Sequence, residues 1–384
     1  MPRRYFIIAG EASGDLHAAH LMEALRHEDP KAEFMGLGGD RMVAAGAHLF
    51  QHYRNMAFMG VVAVLKNWDK VRDNFRIARE ALLREQPDVL ILIDYPSFNL
   101  KMADFCRKNL PNTRIVYYIP PKIWAWKQWR VHQIARLCDE VLGIFPFEPT
   151  FYEQYGYRCT YVGNPTADCI RDYRAAHPQT RPQESTSRKP IIAVLPGSRI
   201  SEITHCLPTM LEAARQFTGY RIVVCQAPTI DANIYHTYMR EGEQLTQDNY
   251  ALMASATAAI VNSGTATLET ALMGCPEVAV YHTACAKLLK IIWPLIFSMR
   301  HFTLVNILAA KDGYIEAQNC GVGEGLIQEM LSFRFTRENV TNELRRILTD
   351  EAYKKNMLAG YEHIQHLLGD TPAAVNAARI ISQL

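Results

Sequence analysis

PIIAVLPGSR, residues 190–199, reads as a strand that stays apolar along its length, breaks at Pro196-Gly197 and passes into a helix at Ser198-Arg199. A continuously apolar strand of this kind belongs in a parallel sheet covered on both faces. Forward of it, YRIVVCQAP (220–228), AAIVNSGT (258–265) and EVAVYH (277–282) repeat the pattern. Just behind it, TADCIRDYRAAHPQTRPQESTSRKP (166–190) is polar, holds three prolines and has no sustained apolar face, so it reads as a linker. Further back, YFIIAG (5–10), DVLILIDY (88–95), RIVYYIP (114–120) and EVLGIF (140–145) alternate with helical stretches near 14–27, 66–86, 98–109 and 130–138. The pattern predicts an α/β fold of two Rossmann-like domains whose parallel sheets face a central cleft, with ligands at the carboxyl ends of the strands. The expected boundaries are 1–165 for the first domain, 166–189 for the linker, 190–345 for the second domain and 346–384 for C-terminal packing helices.

The chain has 384 residues, enough for two domains at roughly 100–200 residues each. Apolar residues make up 49% and charged residues 21%, a globular balance that excludes a disordered or fibrous chain. Lys plus Arg number 41 against 39 for Asp plus Glu, and a net charge of +2 argues against a dedicated nucleic-acid binder. Nine scattered cysteines with no C-x-x-C pair point to free thiols in a reducing compartment. The opening MPRRYFIIAGEASGD has too short an apolar run for a secretory signal, and no window reaches about 18 apolar residues. A soluble cytoplasmic protein is the expectation.

Four turns could carry chemistry. In AGEASGD (9–15), Gly10 and Gly14 permit a tight turn. Glu11 and Asp15 place carboxylates where a pyrophosphate would need amides, which suits sugar hydroxyls or proton transfer. The competing reading makes Asp15 or Ser13 a helix cap and Glu11 a solvated loop residue. In ILIDYPSFN (91–99), Asp94 ends a buried strand, as a general base at a ligand edge would, while Ser97 is the better cap for the next helix. In VLPGSR (194–199), helix-start amides and Arg199 form an anion site suited to a diphosphate, or else an ordinary turn with an exposed Arg. In NSGTATLETALMG (262–274), Ser263, Gly264, Thr265 and Thr267 gather hydroxyls and amides at a helix start. Glu269 follows one turn in, either to accept from ribose hydroxyls or to favour the helix dipole.

Three stretches suit a bilayer surface: FMGVVAVLKNW (58–68), IWAWKQWR (123–130) and KLLKIIWPLIFSMRHF (287–302) mix Trp and aliphatic residues with Lys and Arg. Each alone fits a buried position equally well. The 13 histidines include no H-E-x-x-H pattern, and neither a G-x-S-x-G elbow nor a Walker A loop is present.

The order AGEASGD (9–15), IDYPSFN (93–99), PPKIWAW (120–126), VGNP (162–165), PGSR (196–199), SGTATLET (263–270) and LVN (304–306) resembles the lipid-A-disaccharide synthase family, glycosyltransferase family 19, over nearly the full length. The resemblance implies a GT-B architecture and metal-free inverting transfer without a cofactor. It implies UDP-2,3-diacylglucosamine as donor, 2,3-diacylglucosamine-1-phosphate as acceptor, and the β-1,6-linked disaccharide 1-phosphate and UDP as products. It places Asp94 as general base with Glu11, Ser13 and Asp15 in the acceptor half, Arg199 on the diphosphate, Glu269 on the ribose and Asn306 at the nucleotide. The family's glutamate after this Asn corresponds to Glu316 by spacing or to Glu329 by local context. Peripheral association with the inner-membrane surface is expected, and a homodimer is in keeping with the family although no residue demands one. Alternatives within the fold are another UDP-sugar transferase or an epimerase, and outside catalysis a nucleotide-sugar or lipid-binding module.

Overall fold

The computed structural model describes residues 2–56, 68–178, 189–282, 301–317 and 325–384, with backbone alone at 68, 316 and 317. The chain forms two compact units, Met1–Pro165 with Asp370–Leu384, and Thr166–Gly369.

The first unit holds a parallel sheet of β1 (Arg4–Ala9), β2 (Glu33–Gly38), β3 (His48–His52), β4 (Val89–Ile93), β5 (Arg114–Tyr118), β6 (Glu140–Gly143) and β7 (Thr160–Tyr161) in the order β3-β2-β1-β4-β5-β6-β7. Its helices are α1 (Ala12–Glu28), α2 (Asp40–Ala44), α3 (Trp68–Glu85), α4 (Pro96–Asn109), α5 (Arg130–Leu137) and α6 (Glu148–Glu153). The inner strands are apolar because both faces are covered: Ile7, Ile91 and Val116 have no exposed surface and share one core with Leu21 and Leu25 of α1. Burying each such side chain is worth roughly 1.5–3 kcal/mol. The register Ala9↔Ile93 joins β1 to β4, and strand order reverses between them. Open α/β sheets bind ligands at the carboxyl side of such a reversal.

The second unit repeats the plan with β8 (Ile191–Leu195), β9 (Arg221–Cys225), β10 (Gln244–Thr246), β11 (Ala258–Asn262), β12 (Glu277–Tyr281) and β13 (Glu329–Leu331), in the order β10-β9-β8-β11-β12-β13. Its helices include α7 (Pro165–Ala176), α8 (Ile200–Ala214), α9 (Ala232–His236), α10 (Asn249–Ser255), α11 (Thr265–Leu272), α12 (Leu304–Lys311), α13 (Tyr314–Ala317), α14 (Arg337–Thr349) and α15 (Glu351–Leu368). Here the order reverses between β8 and β11, joined at Leu195↔Val261.

Two boundaries differ from the expectation. The first half of the stretch read as linker is helix α7, started by Pro165 at its first position, a place proline favours. Ile170 is buried, and the Arg174 guanidinium donates to the Leu272 carbonyl at 2.6 Å. The Tyr173 ring of the same helix packs on Tyr250. Residues 179–188 of that stretch lie outside the described residues. The C-terminal helices also divide. The boundary at 345 falls inside α14, whereas α16 (Ala373–Ile381) belongs to the first unit, with Ala377, Ala378 and Ile381 in the same core as α1.

Candidate functional site

At the carboxyl edge of the first sheet, Asp94 follows β4 directly and adopts left-handed backbone (φ 44°), as do Tyr95 (φ 49°) and Ile119 (φ 59°). Such geometry costs L residues on the order of 1 kcal/mol or more each and is most unfavourable for a β-branched side chain. Neighbours hold it in place. The Asp94 N–H donates to the Ile119 carbonyl at 3.1 Å, and the Asp94 carbonyl accepts from Tyr117 Oη at 2.8 Å and Asn99 Nδ2 at 2.7 Å. The Ile119 N–H in turn donates to Leu142. The Tyr95 hydroxyl donates to the Met56 carbonyl, and its ring lies so close to Gly10 that a Cβ there would sit 2.3 Å from Cγ. Gly10 is therefore required by this ring.

The Asp94 side chain remains open to solvent, yet it is recessed, and partial burial raises its carboxyl above the ordinary aspartate range. The Lys122 ammonium and the Tyr95 N–H act in the opposite sense. Glu11 occupies the N-cap position of α1 in extended backbone at the end of β1, across the strand reversal from Asp94. Its charge raises the Tyr95 phenol, behind burial as the larger cause. Ser13 is exposed on the first turn of α1.

Asp15 departs from both of its sequence readings. It is buried, and its carboxylate accepts from the backbone N–H groups of Gly39 (2.7 Å), Arg41 (3.1 Å) and Met42 (3.2 Å). It caps α2 rather than its own helix, and these bonds occupy both oxygens. Ser97 is not the cap of α4 either: Pro96 fixes the first helical residue, which leaves the N-cap position to Tyr95.

At the carboxyl edge of the second sheet, Gly197 takes φ +111° to make the turn from β8 into α8. The amides of Ser198 and Arg199 donate to Glu202 Oε2 at 3.0 and 3.3 Å, and Arg199 Nη1 donates to Glu202 Oε1 at 2.9 Å. This N-terminus thus already holds a carboxylate, while the Arg199 side chain stays largely exposed. The start of α11 differs. Gly264 and Thr265 are exposed, no side chain caps the helix, and the Ser263 N–H is spent on the Val280 carbonyl. Thr267 is fully buried with its hydroxyl on the Gly264 carbonyl, so it shapes the turn from behind. Glu269 is half-buried, which raises its pKa, and a hydrogen bond from the Tyr250 hydroxyl opposes that rise.

Asn306 is a second correction. It has no exposed surface: Nδ2 donates to the Ile327 carbonyl at 2.9 Å and Oδ1 accepts from the Ile327 N–H at 3.0 Å, so it pins a neighbouring chain instead of reaching a ligand. Glu329 on β13 accepts from Phe302 N–H, Thr303 N–H (2.9 Å) and Thr303 Oγ1 (2.5 Å), which fastens the entry to α12. The Glu316 side chain lies outside the described residues.

Of the three tryptophans at 124–129, Trp124 is core, while Trp126 and Trp129 are 43% and 62% exposed with Lys127 and Arg130 over their rings. The apolar runs at 58–67 and 287–300 lie outside the described residues. Motif reading missed Glu148, which is buried beneath the first edge. Its carboxylate accepts from the Ile144 and Phe145 amides (2.7 and 2.9 Å) and from Trp124 Nε1 (3.1 Å), and burial pushes its pKa up to about 7 against those bonds. Its only sequence signal was an acid following the apolar GIFPF.

Residues 5–377 match the family model described as lipid-A-disaccharide synthetase. A lipid-A-disaccharide synthase of Trichlorobacter lovleyi is 37% identical over 96% of this chain and 94% of its own length. The Myxococcus xanthus protein of that description is 35% identical over 100% and 98%. Among solved structures, the glycosyltransferase of kitacinnamycin aligns with TM-score 0.63 at 13% identity, covering 100% of this chain and 99% of that one. A putative UDP-N-acetylglucosamine 2-epimerase from Listeria monocytogenes aligns at 0.58 and 11%, covering 99% and 95%. At these identities the structures speak to the fold alone, which is GT-B.

Proposed function

The chain belongs to the lipid-A-disaccharide synthetase family, enzymes that build the lipid A disaccharide by glycosyl transfer, and on that premise we propose the particular reaction and its residues. The donor is UDP-2,3-diacylglucosamine and the acceptor is 2,3-diacylglucosamine-1-phosphate. Asp94 takes the proton of the acceptor 6-hydroxyl as that oxygen bonds to the anomeric carbon. The bond from that carbon to the UDP oxygen breaks on the opposite side, so the product is the β-1,6 disaccharide 1-phosphate with inversion. Charge gathering on the departing diphosphate meets the uncapped first turn of α11 and the exposed Arg199 guanidinium. Glu269, steadied by Tyr250, accepts from the ribose hydroxyls. The observation that carries this reading is Asp94, an accessible carboxylate at a strand reversal on backbone held by three hydrogen bonds. Supplying both diacylated sugars should yield a tetraacyl disaccharide 1-phosphate by mass spectrometry. Altered UDP-sugar in the absence of acceptor would instead identify an epimerase.

Both substrates carry acyl chains and reside in membranes. Among the described residues no helix is long and apolar enough to cross one. Trp126 and Trp129, beside Lys127 and Arg130, suit an anionic lipid interface. Replacing both tryptophans with Ser should weaken sedimentation with phosphatidylglycerol vesicles about tenfold or more, because burying a large apolar side chain is worth roughly 1.5–3 kcal/mol and 1.4 kcal/mol is a factor of ten. Unchanged sedimentation would exclude this patch. The homodimer in keeping with the family is read by light scattering of the purified chain.

A further inference from the structure

Resting on the second unit as the donor side, we propose that the stacked imidazoles of His205 and His282 bind the donor's diphosphate and take up a proton as the anion binds. His205 lies on the second turn of α8, and His282 directly follows β12. Their ring centroids are 4.8 Å apart with planes 13° from parallel, and both residues are exposed. Neighbouring contacts fix the pair. The next residue of α8, Cys206, donates its thiol to Asn262 Oδ1 at 3.5 Å at the end of β11, and its sulfur also meets the His282 backbone. Asn262 is buried against the turn that leaves β8, where a Cβ on Gly197 would sit 2.8 Å from its Nδ2. The Ser263 N–H on the Val280 carbonyl joins the ends of β11 and β12 just before His282. The pair therefore stands beside the strand reversal, at the edge that also carries Arg199 and the uncapped start of α11.

His205 Nδ1 lies 2.5 Å from the Ser201 carbonyl, and a carbonyl only accepts, so Nδ1 carries the hydrogen and Nε2 is left to face a ligand. Slight burial and, behind it, the His205 ring keep His282 below the ordinary histidine pKa, so near neutrality the free protein holds it mostly uncharged. A diphosphate against the rings reverses that balance: it favours the protonated form, whose N–H groups then donate charge-assisted hydrogen bonds. The carboxylates of the surrounding elements are already engaged. Glu202 of α8 accepts from the Ser198 and Arg199 amides and from the Arg199 guanidinium. Glu329 lies further back, on the β13 residue paired with Ala279, and is held by Phe302, Thr303 and His301. Glu269 of α11 accepts from Tyr250. Among the described residues no carboxylate acts on His282, so a charge gained there is left for a ligand to neutralise. Two adjacent imidazoles, a guanidinium and free helix-start amides match a ligand with two adjacent phosphoryl groups.

The test is calorimetric titration of the full chain with UDP, and with uridine as the probe that lacks the diphosphate. It compares wild type, His205→Gln, His282→Gln, the double variant and Arg199→Ala from about pH 6 to 8 in buffers of different ionisation heat. Subtracting the double variant from wild type cancels the nucleotide's own titration and should leave an uptake of up to about one proton per UDP near pH 7. Wild type should bind UDP about tenfold more tightly than the double variant on the acid side, and the gap should close as pH rises and the imidazole loses its charge. Each single variant should fall between the two, and uridine should bind wild type and the histidine variants alike. Equal UDP affinity at every pH, or a gap that stays constant with pH, overturns the pair. If Arg199→Ala loses UDP while the double variant keeps it, only the pair falls. If wild type binds no UDP, the donor assignment of this unit falls first and takes the pair with it.

Discussion

Asp94→Asn is expected to lower kcat by about 10²–10⁴-fold, the range that a positioned general base contributes, while UDP affinity by calorimetry stays within about twofold. The substitution is clean for a structural reason. Asn tolerates left-handed backbone better than most residues, and φ is 44° here. The bonds that hold the turn run through the Asp94 amide and carbonyl, both of which Asn keeps. What disappears is the proton acceptor. Nucleotide binding is assigned to the other unit, so a large fall in UDP affinity would show that Asp94 had been given the wrong task. In the wild type, burial raises the carboxyl, so activity should fall as pH drops through a value above that of a free aspartate. The variant's residual activity should lose that acid limb.

The strands were legible because the inner positions of a parallel sheet are apolar on both faces. Ile7, Ile91, Val194 and Ile260 all lie in such runs and have no exposed surface. Partner choice was not legible in the same way. The small residues of α16 would fit several neighbours, and nothing local says that they pack in the core with α1. Helix α7 was hidden because its packing residues, Ile170 and Tyr173 among them, stand in a polar, proline-containing stretch with no sustained apolar face.

The functional turns divide along a similar line. Asp94 stood out because an acid directly after five buried apolar residues has few structural uses. Asp15, Asn306 and Glu329 looked equally suited to ligands, yet their hydrogen-bonding atoms are taken up by backbone or hydroxyl groups more than twenty residues away in sequence. A polar side chain in a glycine-rich or helix-start segment serves ligand or chain equally well until its distant partners are placed. Glu148 escaped notice because the indole that bonds to it belongs to Trp124, which lies among tryptophans that suggested a lipid surface and is instead core.

Glu277→Gln is expected to flatten a steep pH dependence of stability in the second unit. Glu277 opens β12 with no exposed surface, and neither carboxyl oxygen has a hydrogen-bond partner among the described residues. Burial raises its pKa well above the ordinary glutamate value, so the neutral form persists to higher pH in the folded protein than in the unfolded chain. In the unfolded chain it ionises near pH 4.3. Between these two values the native state carries the extra proton, and stability falls with rising pH by about 1.4 kcal/mol per unit. The contribution is fully present below the unfolded pKa and is lost as pH climbs through the folded one. Urea unfolding followed upward from pH 5 should show a decline in stability that is steeper than in Glu277→Gln. Equal slopes would mean that the carboxyl finds a compensating partner. Because UDP is assigned to this unit, saturating UDP should raise the unfolding midpoint at each pH through mass action. It should leave the difference in slope between the two proteins intact, since Glu277 has no exposed surface with which to touch the nucleotide.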